Sequence, residues 1–204
     1  MGRSKSLEKR RKDWKRLIKE ARNCKECVLH TTRYQTVIYR GNPFGNWCFL
    51  AEAPGEEEDL RGKVLVGRSG KLFDKFIDDC GIARNDWCAV NTICCRPPGN
   101  KYPKPEIADI CVKRYMWLKL DIMQPKILVI MGAHAAKFLL GAKKIGDAAG
   151  RVFAVPKEWD APYLKAVMAT YHPAYALRRG VVIGIIRSHL RYFVSYVRGE
   201  GFLE

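Results

Sequence analysis

Two cysteines stand three positions apart in "CKEC", Cys24 and Cys27. Three more lie in "NTICCRPPGNKYPKPEIADIC", which runs from Asn91 to Cys111. The short gap lets both sulfurs of a CxxC reach one metal centre. Cys95 and Cys111 flank a Pro-Gly loop and the first turn of a helix. With the CxxC they complete a four-thiolate set that either an iron–sulfur cluster or zinc accepts. A lone cysteine is usually a small buried hydrophobe. Cys48, Cys80 and Cys88 lie in apolar runs and are assigned to the core, while Cys94 is ambiguous with Cys95. Disulfides are not expected, because the chain reads as intracellular and cytosolic thiols stay reduced.

A second group of polar residues stands where apolar runs break off. "EAPGEEED", "NTICCRPP" and "YHPAYALRR" each follow a strand-like stretch. The runs "WCFLAEAPG", "WCAVNT", "KILVIMG" and "KAVMAT" read as buried strands by length and flanks. Helical periodicity lies between them. "SGKLFDKFIDDCG" has Ser69 as its expected cap, a face of Leu72, Phe73, Phe76, Ile77 and Cys80, and Gly81 as its stop. "PEIADICVKRYMWLKLDIMQP" predicts an inner stripe of Ile107, Ile110, Cys111, Leu118 and Ile122. "AHAAKFLLG" is a short helix, and Ile186, Leu190, Phe193, Val194 and Val197 share a face near the end. Strands alternating with helices imply an α/β fold, three-layer α/β/α, with a central four-stranded, mainly parallel sheet. Ligands of such sheets bind at the carboxyl ends of the strands. The three polar segments are therefore expected to converge on one crevice.

Composition bounds the partner. The 204 residues carry a net charge of +16, with 48% apolar and 28% charged residues. Residues 1–22 hold ten Lys or Arg, among them Arg3 and Lys5, against three acids, and form an expected basic helical extension. Residues 23–204 read as one domain. Charge of this size and sign points to a polyanion, nucleic acid first. No run approaches the length of a membrane span and no signal peptide is read, so an intracellular, nucleoid-associated protein without membrane contact, a monomer, is expected.

Several segments together resemble the family 4 uracil-DNA glycosylases, the iron–sulfur type of their superfamily. These are "CKEC", "AEAPGEEEDLRGKVLVGRSGKLFD", "NTICCRPPGNKYPKPEIADIC", "QPKILVIMGAHAAKFLL" and "TYHPAYALRR". They occur in the family's order, at about the family's spacings, over roughly residues 21–195. The resemblance implies a structural [4Fe–4S] cluster on Cys24, Cys27, Cys95 and Cys111. It implies that Glu52 belongs to the first catalytic motif, that Asn91 reads the pyrimidine edge and that His172 faces uracil O2. Ala53, Gly55 and Leu65 would line the base pocket. Leu177 would wedge into the DNA beside the extruded nucleotide, with Arg178, Arg179, Arg68 and Ser69 on phosphates. The activity implied is base-excision repair: monofunctional hydrolysis of uracil, or of a related pyrimidine, from single- or double-stranded DNA.

Three positions depart from the family's pattern. The family usually has Pro-Phe where this chain has Val64 and Leu65, and its Phe stacks on the flipped base. Ala51 also stands where glycine is usual. Leucine offers no π face. The alternative expectation is therefore a glycosylase-like DNA-binding module with weak or lost catalysis. A zinc-stabilised nucleic-acid binder is the third. Histidines His30, His134 and His189 are assigned structural or surface roles, and Trp14 is expected to pack its helix.

Overall fold

The computed structural model describes residues 6–203. Six strands form one sheet in the order β1-β3-β2-β4-β6-β5. They are β1 (Tyr39–Gly41), β2 (Trp47–Ala51), β3 (Trp87–Asn91), β4 (Ile127–Met131), β5 (Val152–Phe153) and β6 (Ala166–Thr170). The four expected strands are β2, β3, β4 and β6, and they pair in parallel. The expectation of four strands needs correcting by two. β1 and β5 pair antiparallel on the outer edges. They are three and two residues long and only half-buried, too short for an apolar run to announce them.

Strand side chains alternate between two helical layers. Cys48, Leu50, Cys88, Val90, Leu128 and Ile130 join one core, while Phe49, Ala89, Val129 and Met168 join the other. The first core is covered by α1 (Leu7–Arg22), α5 (Trp117–Met123) and α6 (Ala133–Leu140). The second is covered by α3 (Arg68–Asp79) and α8 (Val181–Gly199). The short helices α2 (Glu56–Arg61), α4 (Pro105–Cys111) and α7 (Pro173–Arg178) lie near the strand ends. The expected stripe of Ile186, Leu190, Phe193, Val194 and Val197 is buried along α8.

Two helix expectations change. Gly67, not Ser69, caps α3, and Ser69 sits inside its first turn. Between α4 and α5 the chain takes a π turn over Val112–Met116. The wider turn rotates the inner face by part of a residue step. Leu118, expected inside beyond that turn, is 38% exposed, and Ile110, which precedes the turn, is 39% exposed. Val112, Met116, Lys119 and Leu120 are buried instead.

The described part of the basic segment is docked on the domain. Ser6 accepts the Lys9 N–H at the start of α1, and Trp14, Leu17 and Ala21 are buried. Trp14 meets Tyr39 edge-on at 5.1 Å. Arg10 donates to the Ile122 carbonyl at 2.7 Å and to that of Met123, at the carboxyl end of α5 where a cation is favoured. Lys9, Arg11, Lys12, Lys15, Arg16, Lys19 and Arg22 face outward. Arg3 and Lys5 lie outside the described residues. Among the described residues, no helix is long and apolar enough to cross a membrane.

Replacing a buried tryptophan by alanine removes packing worth about 3–5 kcal/mol. Trp14→Ala is expected to lose stability of that order in urea denaturation and to expose residues 7–22 to limited proteolysis. Cleavage of the wild type there at the same rate would mean that α1 is not docked.

Candidate active site

The carboxyl ends of β2, β3 and β6 lead directly into Glu52, the side chain of Asn91, and Tyr171–His172. Parallel register sets these ends at one level: Ala51 pairs with Asn91, and Met131 with Thr170. The loops beyond them close around a cavity of about 370 Å³. That volume suits a small organic group. Glu52, Leu65, Asn91, Tyr102, His134 and His172 line it, and Ala53, Gly55, Ser69 and Arg178 belong to the same wall.

Each polar group there is held in a definite state. His172 caps α7, and its Nδ1 accepts the Ala174 N–H at 3.1 Å. An accepting Nδ1 leaves the ring proton on Nε2. Burial pushes the imidazole below its usual 6.5, against the pull of Glu52 and Glu58. The ring is therefore neutral near pH 7, with one N–H donor. Glu52 Oε1 accepts the His134 N–H at 2.8 Å, at the positive end of α6. A Cβ on Gly132, whose φ is +103°, would collide with that carboxylate. Asn91 is 2% exposed, and its Nδ2 has no hydrogen-bond partner among the described residues. A buried amide without a partner is costly unless something else fills the place.

The acids of "EAPGEEED" divide by partner. Glu58 accepts the N–H groups of Val66 at 2.9 Å, Gly67 at 2.8 Å and Gly55 at 3.1 Å, so it is the clasp of the loop. Buried Asp59 accepts those of Tyr34 and Gln35. Glu56 and Glu57 pair with Arg96 and Arg61 on the surface. Of the five, only Glu52 and Glu58 line the cavity. Leu65 is buried with φ of +53°, a left-handed backbone unusual for leucine. Arg40 donates to its carbonyl, and Gly70 leaves room for it.

Sequence reasoning missed part of this wall. His134, assigned a structural or surface role, stacks on Tyr102 with ring centroids 4.1 Å apart. The Tyr102 hydroxyl lies 2.9 Å from Thr92 Oγ1, which donates to the Glu52 carbonyl. Tyr175 also reaches the cavity. Their only signal was position within segments that follow strands. At the rim, Leu177 is 41% exposed beside exposed Arg178 and Arg179, and exposed Arg68 stands at the start of α3.

A region 38–184 matches the uracil DNA glycosylase superfamily. The type-4 uracil-DNA glycosylase of Thermotoga maritima is 33% identical over 182 residues, covering 88% of this chain and 92% of the relative. The chain belongs to the uracil-DNA glycosylase superfamily, in its type-4 branch. Type-4 uracil-DNA glycosylases of Archaeoglobus fulgidus and Saccharolobus solfataricus are 34% and 31% identical, over 80% and 84% of this chain and 82% and 81% of their own lengths.

A second feature of this type-4 chain lies behind the Pro-Gly loop. Cys24, Cys27, Cys94, Cys95 and Cys111 line one small hollow of about 20 Å³. Arg33 donates to Cys95 Sγ at 2.9 Å and to the Cys24 carbonyl at 2.7 Å. The Cys94 N–H donates to Cys111 Sγ at 3.3 Å. A separate hydrogen bond between the two side chains pulls the Cys94 thiol down to about 6 and pushes Cys111 up, against the backbone bond. Among the described residues, no three Cys, His, Asp or Glu side chains converge as they would on a single ion. Cys48, Cys80 and Cys88 are buried elsewhere, and burial raises all three thiols.

Glu58→Ala would strand three amides that now share a carboxylate. A loss of at least about 2 kcal/mol in urea denaturation is expected, since hydrogen bonds to charged groups carry about 1.5–3 kcal/mol each. A variant as stable as the parent would show that the loop does not depend on this clasp.

Proposed function

We propose that this protein is a monofunctional glycosylase that removes uracil, or a closely related pyrimidine, from DNA by hydrolysis. The observation that carries the reading is the buried Asn91 amide, whose Nδ2 lacks a partner among the described residues, in one cavity with a neutral His172 and with Glu52.

The chemistry follows from what the bond requires. The target base must leave the stack, which costs a few kcal/mol. Leu177 is suited to fill the gap, with Arg178 and Arg179 on phosphates and the α3 start, Arg68 and Ser69, near a third. The N1–C1′ bond then breaks and its electron pair leaves with the base. Negative charge grows at uracil O2 while positive charge grows on the sugar. The His172 Nε2–H donates to O2 and stabilises that anion. Asn91 Nδ2 donates to O4, and its Oδ1 accepts N3–H. Cytosine reverses both groups and would leave the amide unpaired, a strong discrimination. Glu52, held by the α6 start, steadies the cationic sugar and orients a water. That water's oxygen bonds to C1′ and its proton is released, giving uracil and an abasic site. Ala53, Gly55 and Leu65 shape the base pocket.

Cys24, Cys27, Cys95 and Cys111 fit a [4Fe–4S] cluster better than one zinc. Zinc draws four sulfurs to one point at about 2.3 Å. A cluster instead takes one thiolate on each iron, so it asks for cysteines arranged around a hollow. Such a cluster would supply structural clamping, tying the CxxC segment to both ends of the Pro-Gly loop. DNA as partner, a monomeric state and an intracellular, nucleoid-associated setting complete the reading, with residues 23–204 as the glycosylase domain and 1–22 as its basic helical extension.

The deciding experiment is uracil release from single-stranded, U:G and U:A oligonucleotides, read by alkali cleavage. Wild type is expected to cut, and His172→Ala to lose about 10²–10³-fold in rate. DNA binding without cleavage in the wild type would favour a binding module, and gain of activity in Leu65→Phe would then point to a retuned pocket. Because His172 acts as the neutral ring and its folded pKa lies below 6.5, it should add no inflection above pH 6.5. Activity and the stability tied to its neutral form should both fall as pH drops below that value. A histidine-dependent inflection above 6.5 would contradict the neutral donor.

The protein purified under anaerobic conditions is expected to be brown and to contain iron, and Cys95→Ala to lose both. Colourless protein carrying one zinc would overturn the cluster.

A further inference from the structure

Lys119 is fully buried, on the inner face that the π turn creates. Its Nζ lies 2.8 Å from the Asn91 carbonyl and 3.6 Å from Cys94 Sγ. Burying an ammonium is expensive, and an apolar side chain of similar volume often replaces a buried charge without loss. Its position explains what it does there. β1 pairs with β3 only as far as Tyr39↔Val90, so Asn91 has no β1 neighbour. On that side, Lys119 supplies the donor that the sheet lacks.

We propose that Lys119 is a positioning residue for base recognition: its ammonium pins the Asn91 carbonyl, and so fixes the direction of the amide that meets the base. Lys119 does not line the cavity. Its effect passes through one residue. The same cation stands beside Cys94, whose N–H is bound to the Cys111 sulfur. The base-reading strand end and the cysteine wall therefore share one charge, and a change at either reaches the other through Lys119. The inference rests on Asn91 being the base-reading residue.

The test uses full-length wild type, Lys119→Met and Lys119→Gln. Two readouts are taken: hydrogen exchange over residues 90–95, and affinity for free uracil beside affinity for abasic-site DNA. Methionine is unbranched, apolar and one atom shorter than lysine, so the fold should persist, which thermal melting verifies. Lys119→Met is expected to exchange faster over 90–95 and to bind uracil about tenfold more weakly, with abasic-DNA affinity unchanged. Lys119→Gln, which keeps an N–H donor, should recover part of both losses, and it carries the test if the methionine variant fails to fold. Unchanged exchange, or uracil and abasic DNA weakened alike, would overturn the proposal. Faster exchange with no uracil binding by the wild type would leave Lys119 as the anchor of Asn91 and instead sink the uracil reading.

Discussion

Ala51 stands opposite Asn91, and Met131 opposite Thr170, because β2, β3, β4 and β6 run in parallel and in register. Everything in the cavity depends on that alignment. Three chain segments far apart in sequence leave the sheet at one level and on one side. Slip one strand by a residue, and its side chains would change faces. Asn91 would then point into a helical layer. The alternation of Leu50 and Val90 into one core, and Phe49 and Ala89 into the other, makes such a slip costly, since each strand is buried on both faces.

Beyond the strand ends the ladder stops and other bonds take over. Glu58 gathers three amides, Asp59 two more, and Thr92 bonds the Glu52 carbonyl. Lys119 reaches the Asn91 carbonyl. These are charged or buried groups serving backbone that no neighbouring strand can serve. The cysteine hollow belongs to the same pattern. It gathers the CxxC segment, the chain beyond β3 and the end of α4, which also meet in a small apolar cluster around Leu29, Ile93 and Ala108.

The pocket wall carries this chain's individuality. Leu65 takes a left-handed backbone where the family usually has a phenylalanine. In the same cavity, Tyr102 and His134 form a stacked pair tied through Thr92 to the Glu52 strand end. Aromatic surface is thus present, though on residues from the β3–α4 loop and the α6 start.

The sequence by itself determined the element types, because periods of 2 and 3.6 are properties of local backbone geometry. The α8 stripe and the four inner strands were legible for that reason. So was the family, whose motifs are local strings. Where local geometry departs from the ideal, legibility ended. The π turn at Val112–Met116 turned Leu118 outward and Lys119 inward, and two short edge strands left no pattern. Which two of the five acids face the cavity, and that His134 stacks there, were decided only by tertiary structure. Those facts depend on contacts between residues dozens of positions apart, such as His134 with Glu52, and adjacent acids in one string look alike until their partners arrive.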